Sequence, residues 1–149
     1  MPQYGRPSAD TNNPGSYTDQ GGGSSNIYTT IDESVASDSD YIRTPTSPSS
    51  AVYVTKLTNL TDPVSSSGHT IRVRAGTDQS SGGQQINLTV QLRQGYVNEG
   101  SPGTLIATLT QNNIAQGSFA DYSYNLSGGE ADAITDYTSL YYRIVMTAV

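Results

Sequence analysis

Short runs of alternating apolar and polar residues recur along the chain from residue 26 onward. In residues 71–75 three apolar positions alternate with two arginines, and residues 86–93 repeat this period of two. Such a period places alternate side chains on opposite faces of a strand. Residues 52–57 form a more continuous apolar run, which predicts a strand buried on both faces. Further strands are predicted over residues 27–31, 105–109, 119–126 and 140–149, which gives seven or eight strands in all.

The residues between these runs are rich in glycine, proline, asparagine and serine, which favour turns. Turns are predicted over residues 61–63, 65–68, 80–83, 99–103 and 111–113. Strands about ten to fifteen residues apart, without helical patterns between them, indicate an all-β fold and not a parallel α/β fold. We expect an antiparallel, jelly-roll-like β-sandwich over residues 26–149.

One short helix is predicted near the C-terminal end of the chain. Ser127 and Glu130 have the spacing of a capping box. In this motif the serine hydroxyl accepts a hydrogen bond from the glutamate N–H, and the carboxylate accepts one from the serine N–H. The helix would cover residues 128–134 and lead into the last strand.

The first 25 residues differ in composition from the rest of the chain. They contain no Leu, Ile, Val or Phe, and all 27 of these residues lie after residue 26. We predict that residues 1–25 form an extended arm that orders on a neighbouring molecule, with a floppy terminus as the alternative. Tyr4, Arg6 and Tyr17 are the candidate partner-binding residues, because Tyr and Arg are common interface anchors. The small apolar supply also favours a homo-oligomer.

Composition narrows the class of protein further. The chain has no cysteine, which excludes a disulfide scaffold and thiolate chemistry. Thirteen acidic and seven basic residues give a net charge of -6, and the basic residues form no run, which argues against a nucleic-acid partner. No apolar stretch approaches the roughly 18 residues that span a bilayer, so no membrane partner is expected. The first residues have no apolar segment behind them, so no secretory signal is expected.

Few residues suggest catalysis or metal binding. His69 is the only histidine and the Gly-x-Ser-x-Gly pattern is absent, so we expect no enzyme activity, cofactor or metal. The densest acidic segment holds Asp32, Glu33, Asp38 and Asp40. Of these, Asp32, Asp38 and Asp40 are the candidates for Ca²⁺ ligands, with Asp38 and Asp40 on one strand face. A solvated acidic turn is the default interpretation. Eleven tyrosines without any Trp suit a protein interface or a sugar-binding surface.

Several segments resemble structural proteins encoded in the virion modules of tailed bacteriophages. The similar segments are residues 6–10 and 15–17, Ile-Tyr-Thr-Thr-Ile-Asp-Glu at 27–33, residues 38–42, Leu-Ser-Gly-Gly-Glu-Ala-Asp-Ala-Ile-Thr-Asp-Tyr at 126–137, and residues 140–144. Relatives often carry Trp at the position of Tyr17. The likeness covers most of the chain, and within this class the chain is similar to capsid decoration proteins, also called cement proteins.

The resemblance implies a non-enzymatic virion protein on the outer capsid surface, made in the cytoplasm of the host bacterium. Decoration proteins bind the major capsid protein, usually as trimers at local three-fold positions, and clamp neighbouring capsomers. We therefore expect a homo-oligomer, with a trimer favoured, and no catalytic residues. Deletion of residues 1–25 is expected to weaken capsid binding and to leave the β domain folded.

Two alternatives remain open. The first is a carbohydrate- or receptor-binding β module at the phage tail, with tyrosines and the acidic segment near the ligand. The second is a neck or tail attachment protein, which would assemble with a different symmetry.

Overall fold

The computed structural model of the protein describes residues 2–79 and 82–149. The elements in chain order are β1 (Pro7–Asn12), β2 (Thr18–Asp19), a 3-10 helix (Ile27–Thr30), β3 (Ile42–Arg43), β4 (Ala51–Leu57), β5 (Thr70–Gly76), β6 (Ile86–Gln94), β7 (Thr104–Gln111), β8 (Phe119–Asn125), α1 (Gly128–Asp132) and β9 (Leu140–Ala148). In the described parts of the chain, no helix has the length and apolar character needed to cross a membrane.

The strands of the described residues form one larger sheet and two small ones. The larger sheet has five strands in the order β1-β4-β9-β6-β7, and the small sheets are β2-β3 and β5-β8. All of these pairings are antiparallel, which confirms the predicted mostly β, antiparallel fold. The C-terminal strand β9 is central because its apolar residues match both neighbours. Ile144, for example, lies opposite Tyr53 of β4 and Val90 of β6.

The main core lies on one face of the five-stranded sheet. Tyr53 and Ile144 are buried on this face, and Ile71 and Ala75 of β5 belong to the same apolar cluster. The β5-β8 sheet therefore covers this face. Arg72, between the two buried β5 residues, is exposed, as the alternation in residues 71–75 predicts.

Strand β4 also has buried residues on the opposite face of the sheet. Val54 is fully buried there and forms a second cluster with Val52 and Tyr96. Tyr96 belongs to the loop of residues 95–103 between β6 and β7, which folds back over this face. The continuous apolar run of residues 52–57 is therefore explained by burial on both faces.

The predicted strand at residues 27–31 is wrong, because this segment forms the 3-10 helix Ile27–Thr30. The carboxylate of Asp10 accepts hydrogen bonds from the backbone N–H groups of Ile27 and Tyr28, each at 2.9 Å. The hydroxyls of Thr29 and Thr30 bond to backbone carbonyls three residues earlier. These local bonds satisfy groups that a strand would pair with a neighbouring strand.

Much of the predicted arm packs against the body of the β domain. Strand β1 forms an edge of the five-stranded sheet through its pairing with β4. Gly15 passes so close to β4 that a Cβ atom there would overlap the backbone nitrogen of Val52. Tyr17 is 1% exposed and belongs to the main core. A strand needs backbone partners more than large side chains, so the lack of Leu, Ile, Val and Phe did not prevent this packing.

The C-terminal helix has the predicted cap. Ser127 Oγ accepts from the N–H of Glu130 at 3.3 Å, and the Glu130 carboxylate accepts from the N–H of Ser127 at 2.7 Å. Helix α1 is shorter than predicted and ends at Asp132. Of the predicted turn at residues 80–83, residues 80 and 81 lie outside the described residues.

Candidate interaction surfaces

Tyr4 and Arg6 lie on the surface at the end of β4. The side chain of Gln3 bonds to both the N–H and the carbonyl of Thr61, at 2.8 and 2.9 Å. The N–H of Thr58 donates to the carbonyl of Arg6 at 2.8 Å. Tyr4 is 60% exposed, and the Arg6 guanidinium lies 5.6 Å from the centre of its ring. These contacts fix an aromatic and cationic pair in place while leaving it accessible.

Tyr17, the third predicted anchor, is instead part of the core. Its ring packs 5.6 Å from that of Tyr53, and its hydroxyl donates to the carbonyl of Ala51 at 3.2 Å. Burial raises the pKa of the Tyr17 phenol. The structure therefore separates Tyr17 from Tyr4 and Arg6, and only the latter two can contact a partner without rearrangement.

The acidic segment makes an ion pair across to β5. Asp38 accepts two hydrogen bonds from Arg74, at 2.6 and 2.7 Å, which lower the pKa of the Asp38 carboxyl. Arg74 also contacts Asp121 of β8 at 3.2 Å. Asp38 and Asp40 lie in a turn and a bend, so the prediction that they share a strand face is wrong.

The candidate Ca²⁺ ligands do not form a metal-binding cluster. Asp38 is occupied by Arg74, and Asp40 accepts from the side chain of Gln20 at 3.2 Å. Over residues 2–79 and 82–149 no group of three or more His, Cys, Asp or Glu side chains is placed to hold a metal ion. Asp32 therefore has too few neighbouring carboxylates to form a Ca²⁺ site with them.

An aromatic pair lies near the Arg74 ion pairs. The rings of Tyr41 and Phe119 are 5.7 Å apart, and both residues are half-buried. Phe119 lies opposite Gly76, two residues along β5 from Arg74. This surface combines aromatic and charged groups, as the carbohydrate-binding alternative requires.

A polar network holds the 95–103 loop on the outer face of the large sheet. Glu99 accepts from Arg143 of β9, with the shortest contact at 2.7 Å, and from the hydroxyl of Tyr96 at 2.8 Å. Asn12 of β1 donates to the same hydroxyl at 2.9 Å. Sequence reasoning missed this network because its members lie far apart in the chain and only the turn at residues 99–103 carried a signal.

His69 connects two segments near the start of β5. Its Nε2 lies 2.8 Å from the hydroxyl of Tyr137, in the connection between α1 and β9. Its Nδ1 is buried and has no hydrogen-bond partner among the described residues. The single histidine therefore helps to join the loop before β5 to the segment before β9.

A groove of about 2020 Å³ runs along the main core face. Its walls include Ile71 and Val73 of β5, Tyr142 and Met146 of β9, and much of the segment 30–48. This space exceeds the roughly 300–1,000 Å³ of most small-molecule sites. The groove follows the junction between the five-stranded sheet and the β5-β8 sheet. It is not a compact pocket around converging polar groups.

Four exposed apolar residues belong to segments that start or finish at one end of the five-stranded sheet, and this set is here called the apolar end. They are Tyr4, Val64, Val97 and Leu105, and Val64 is 91% exposed. The strand pairings bring the segments that carry them to the same end of the sheet: residues before Pro7 meet those after Leu57, and Gln94 lies opposite Leu140 and Thr104. With strands about 4.8 Å apart, the apolar end extends roughly 19 Å from β1 to β7.

Comparisons of the chain with protein-family models, curated proteins and solved structures find no match.

Proposed function

We propose that this protein is a non-enzymatic structural component of a tailed-bacteriophage virion, a decoration protein on the outer surface of the head. The five-stranded sheet and the β5-β8 sheet would form a jelly-roll-like sandwich. The observation that carries the proposal is the Tyr4-Arg6 pair at the apolar end, in which Tyr4 is exposed and Arg6 half-buried. The segments that resemble virion proteins provide the assignment to a phage particle.

The apolar end has the chemistry of a protein-binding surface. Tyr and Arg are enriched among residues that contribute most to binding. Because Gln3 and Thr58 already hold the segment that carries Tyr4 and Arg6, little ordering is needed on binding. Val64 and Val97 add apolar area that is otherwise left in contact with water. We propose the major capsid protein as the partner of this surface.

The proposed action is stabilisation by mass action. A protein that binds the assembled shell, and not the free capsid subunit, shifts the equilibrium towards the shell. Three copies would surround each local three-fold position and clamp neighbouring capsomers. Synthesis would take place in the host cytoplasm, and neither nucleic acid nor membrane takes part.

Binding to purified capsids that lack the protein tests this function. The double variant Tyr4→Ser and Arg6→Ser should reduce capsid occupancy at least about tenfold, the loss expected when two anchors are removed. Val149→Ser is the matched control, because Val149 is 70% exposed and lies at the other end of β9. Its occupancy should equal that of the wild type. Equal occupancy of the double variant would contradict the role of the apolar end.

Electron microscopy of decorated particles separates the alternatives. Density at three-fold positions of the head supports the proposal, whereas six- or twelve-fold rings at the portal indicate a neck or tail protein. A glycan array tests the carbohydrate-binding alternative. Reproducible sugar binding that is lost in Tyr41→Ala would favour the carbohydrate-binding alternative and the surface around Phe119.

A further inference from the structure

Strand β7 is an edge with backbone groups free to pair. It covers Thr104–Gln111 and pairs with β6 on one side. In the described parts of the chain, no other strand pairs with β7, and helix α1 and strand β8 lie nearby without joining its ladder. An edge strand presents a row of N–H and C=O groups that can accept a further strand.

The opposite edge of the same sheet is protected. Strand β1 begins with Pro7, and its pairing with β4 has two register shifts. The carboxylate of Asp10 is directed to the 3-10 helix and to Tyr53. Proline, irregular register and an inward-pointing charge are devices that prevent edge-to-edge association. β1 has all three.

Strand β7 carries little such protection. Its eight residues, Thr-Leu-Ile-Ala-Thr-Leu-Thr-Gln, include no proline and no charged side chain. One register shift occurs opposite Leu92 and Arg93, after which residues 107–111 continue in regular register. This regular part is long enough for several inter-strand hydrogen bonds and carries neither proline nor a charged side chain.

We propose that β7 pairs with β7 of a second copy of this chain, in an antiparallel arrangement about a two-fold axis. One argument favours a second copy over an unrelated strand, and another places the contact between copies at β7. An antiparallel strand pair is self-complementary, so one edge satisfies both partners. A chain with net charge -6 repels its own copy, and an uncharged edge is where two copies can approach with the least repulsion.

This pairing goes beyond the proposed capsid function and does not rest on it. It joins two copies into one continuous sheet, whereas a decoration trimer uses a three-fold contact. The two contacts involve different symmetry axes, and the β7 contact can be measured on the purified protein without any capsid. If the β7 pairing is disproved, the proposed capsid function still stands, and the reverse also holds.

Analytical ultracentrifugation over a concentration series gives the first test. The wild type should form a dimer, and Thr110→Lys, which places like charges near the axis, should weaken it about tenfold. Thr89→Lys is the matched control, because Thr89 lies opposite Thr110 on the interior strand β6. Its dimer constant should stay within about twofold of the wild type. Thermal unfolding of each variant verifies that the fold is retained. A monomeric wild type, or equal weakening by both variants, would overturn the proposal.

Cysteine cross-linking gives the second test, because the chain has no cysteine of its own. Residues facing each other across a strand pair share one face, so Thr108 and Thr110 can meet in three registers. Thr108→Cys alone, Thr110→Cys alone and a mixture of the two cover these registers. At least one of the three samples should form a disulfide-linked dimer under mild oxidation, whereas Thr89→Cys should not. No cross-link in any of the three samples, or an equal one with Thr89→Cys, counts against the β7 pairing.

Discussion

Asp10 shows how one side chain can join three parts of the chain. Its carboxylate accepts from the N–H groups of Ile27 and Tyr28 and from the hydroxyl of Tyr53, the last at 2.6 Å. It thereby connects edge strand β1 to the 3-10 helix and to the core face of β4. Together with burial, this contact raises the pKa of the Tyr53 phenol. Tyr53 is fully buried, so the carboxylate of Asp10 and not solvent satisfies its hydroxyl.

Asp10→Ala should lower the free energy of unfolding by about 1–3 kcal/mol, because it leaves a buried hydroxyl and two N–H groups without acceptors. Asp10→Asn keeps one acceptor oxygen and should have a smaller effect. Urea unfolding at pH 7 measures both variants. Wild-type stability of Asp10→Ala would mean that water replaces the carboxylate at all three donors.

Tyr17 and Tyr4 occupy opposite environments within the same N-terminal segment. Tyr17→Ala should cost about 3–5 kcal/mol of unfolding free energy, because it leaves a cavity next to Tyr53. Tyr17→Phe removes only a hydrogen bond and should cost about 1 kcal/mol. Tyr4→Ala should stay within about 0.5 kcal/mol of the wild type. Thermal or urea unfolding provides the comparison, and equal effects of the two alanine variants would contradict the burial of Tyr17.

The sequence could not distinguish these two tyrosines. Both stand among polar residues, glycine and proline, and neither belongs to an alternating run. Which of them is buried depends on where β1 pairs, and β4 lies about forty residues further along the chain. The hydrogen-bond partners of Asp10 and Glu99 could not be predicted for the same reason, because the assembled sheet determines which residues come together.

At the scale of elements, the sequence pattern predicted those strands and caps that depend on residues close together in the chain. Strands β5, β6 and β9 have a period of two and were predicted, and the Ser127-Glu130 cap needs only two residues three positions apart. Residues 27–31 have the same alternation of β-branched residues, but in the described parts of the chain no strand pairs with them. The carboxylate of Asp10 stabilises a 3-10 helix there instead, so tertiary contact overrides strand propensity.

The capping box of α1 supports a prediction about this element alone. Ser127→Ala should lower the free energy of unfolding by about 1 kcal/mol, because it removes the acceptor for the N–H of Glu130. Ser127→Asp restores an acceptor at the cap and should recover most of the loss. The two variants are compared by thermal unfolding, and equal stability of the alanine and aspartate variants would show that the cap contributes little.

At the scale of the whole molecule, the edge strand β1 changes how the arm hypothesis must be tested. Removing residues 1–25 would also remove β1, Asp10 and the buried ring of Tyr17. Lost capsid binding in such a truncation could not be separated from lost folding. Substitutions at Tyr4 and Arg6 leave those contacts in place, so they test binding without this complication.

Acid should destabilise the molecule through several carboxyl groups. Hydrogen bonds from Arg74 lower the pKa of Asp38, and those from Arg143 lower the pKa of Glu99. The N–H of Ser127 does the same for Glu130, and Thr138 for Asp136. A carboxyl group with a depressed pKa in the folded state binds fewer protons there than in the unfolded state. Its contribution is therefore present above the unfolded pKa and is lost as pH falls through the folded pKa.

The midpoint of thermal unfolding should therefore fall as pH drops below the ordinary carboxyl values of 4.5 for Glu and 3.8 for Asp. Glu99→Gln removes one of these groups, so its stability should fall less than that of the wild type between about pH 5 and 3. Glu33 provides a control of opposite sign, because partial desolvation and the nearby Asp40 and Asp32 raise its pKa. Glu33→Gln should make the decline steeper. Parallel pH profiles for the wild type and Glu99→Gln would show that the ion pair with Arg143 does not contribute to stability in solution.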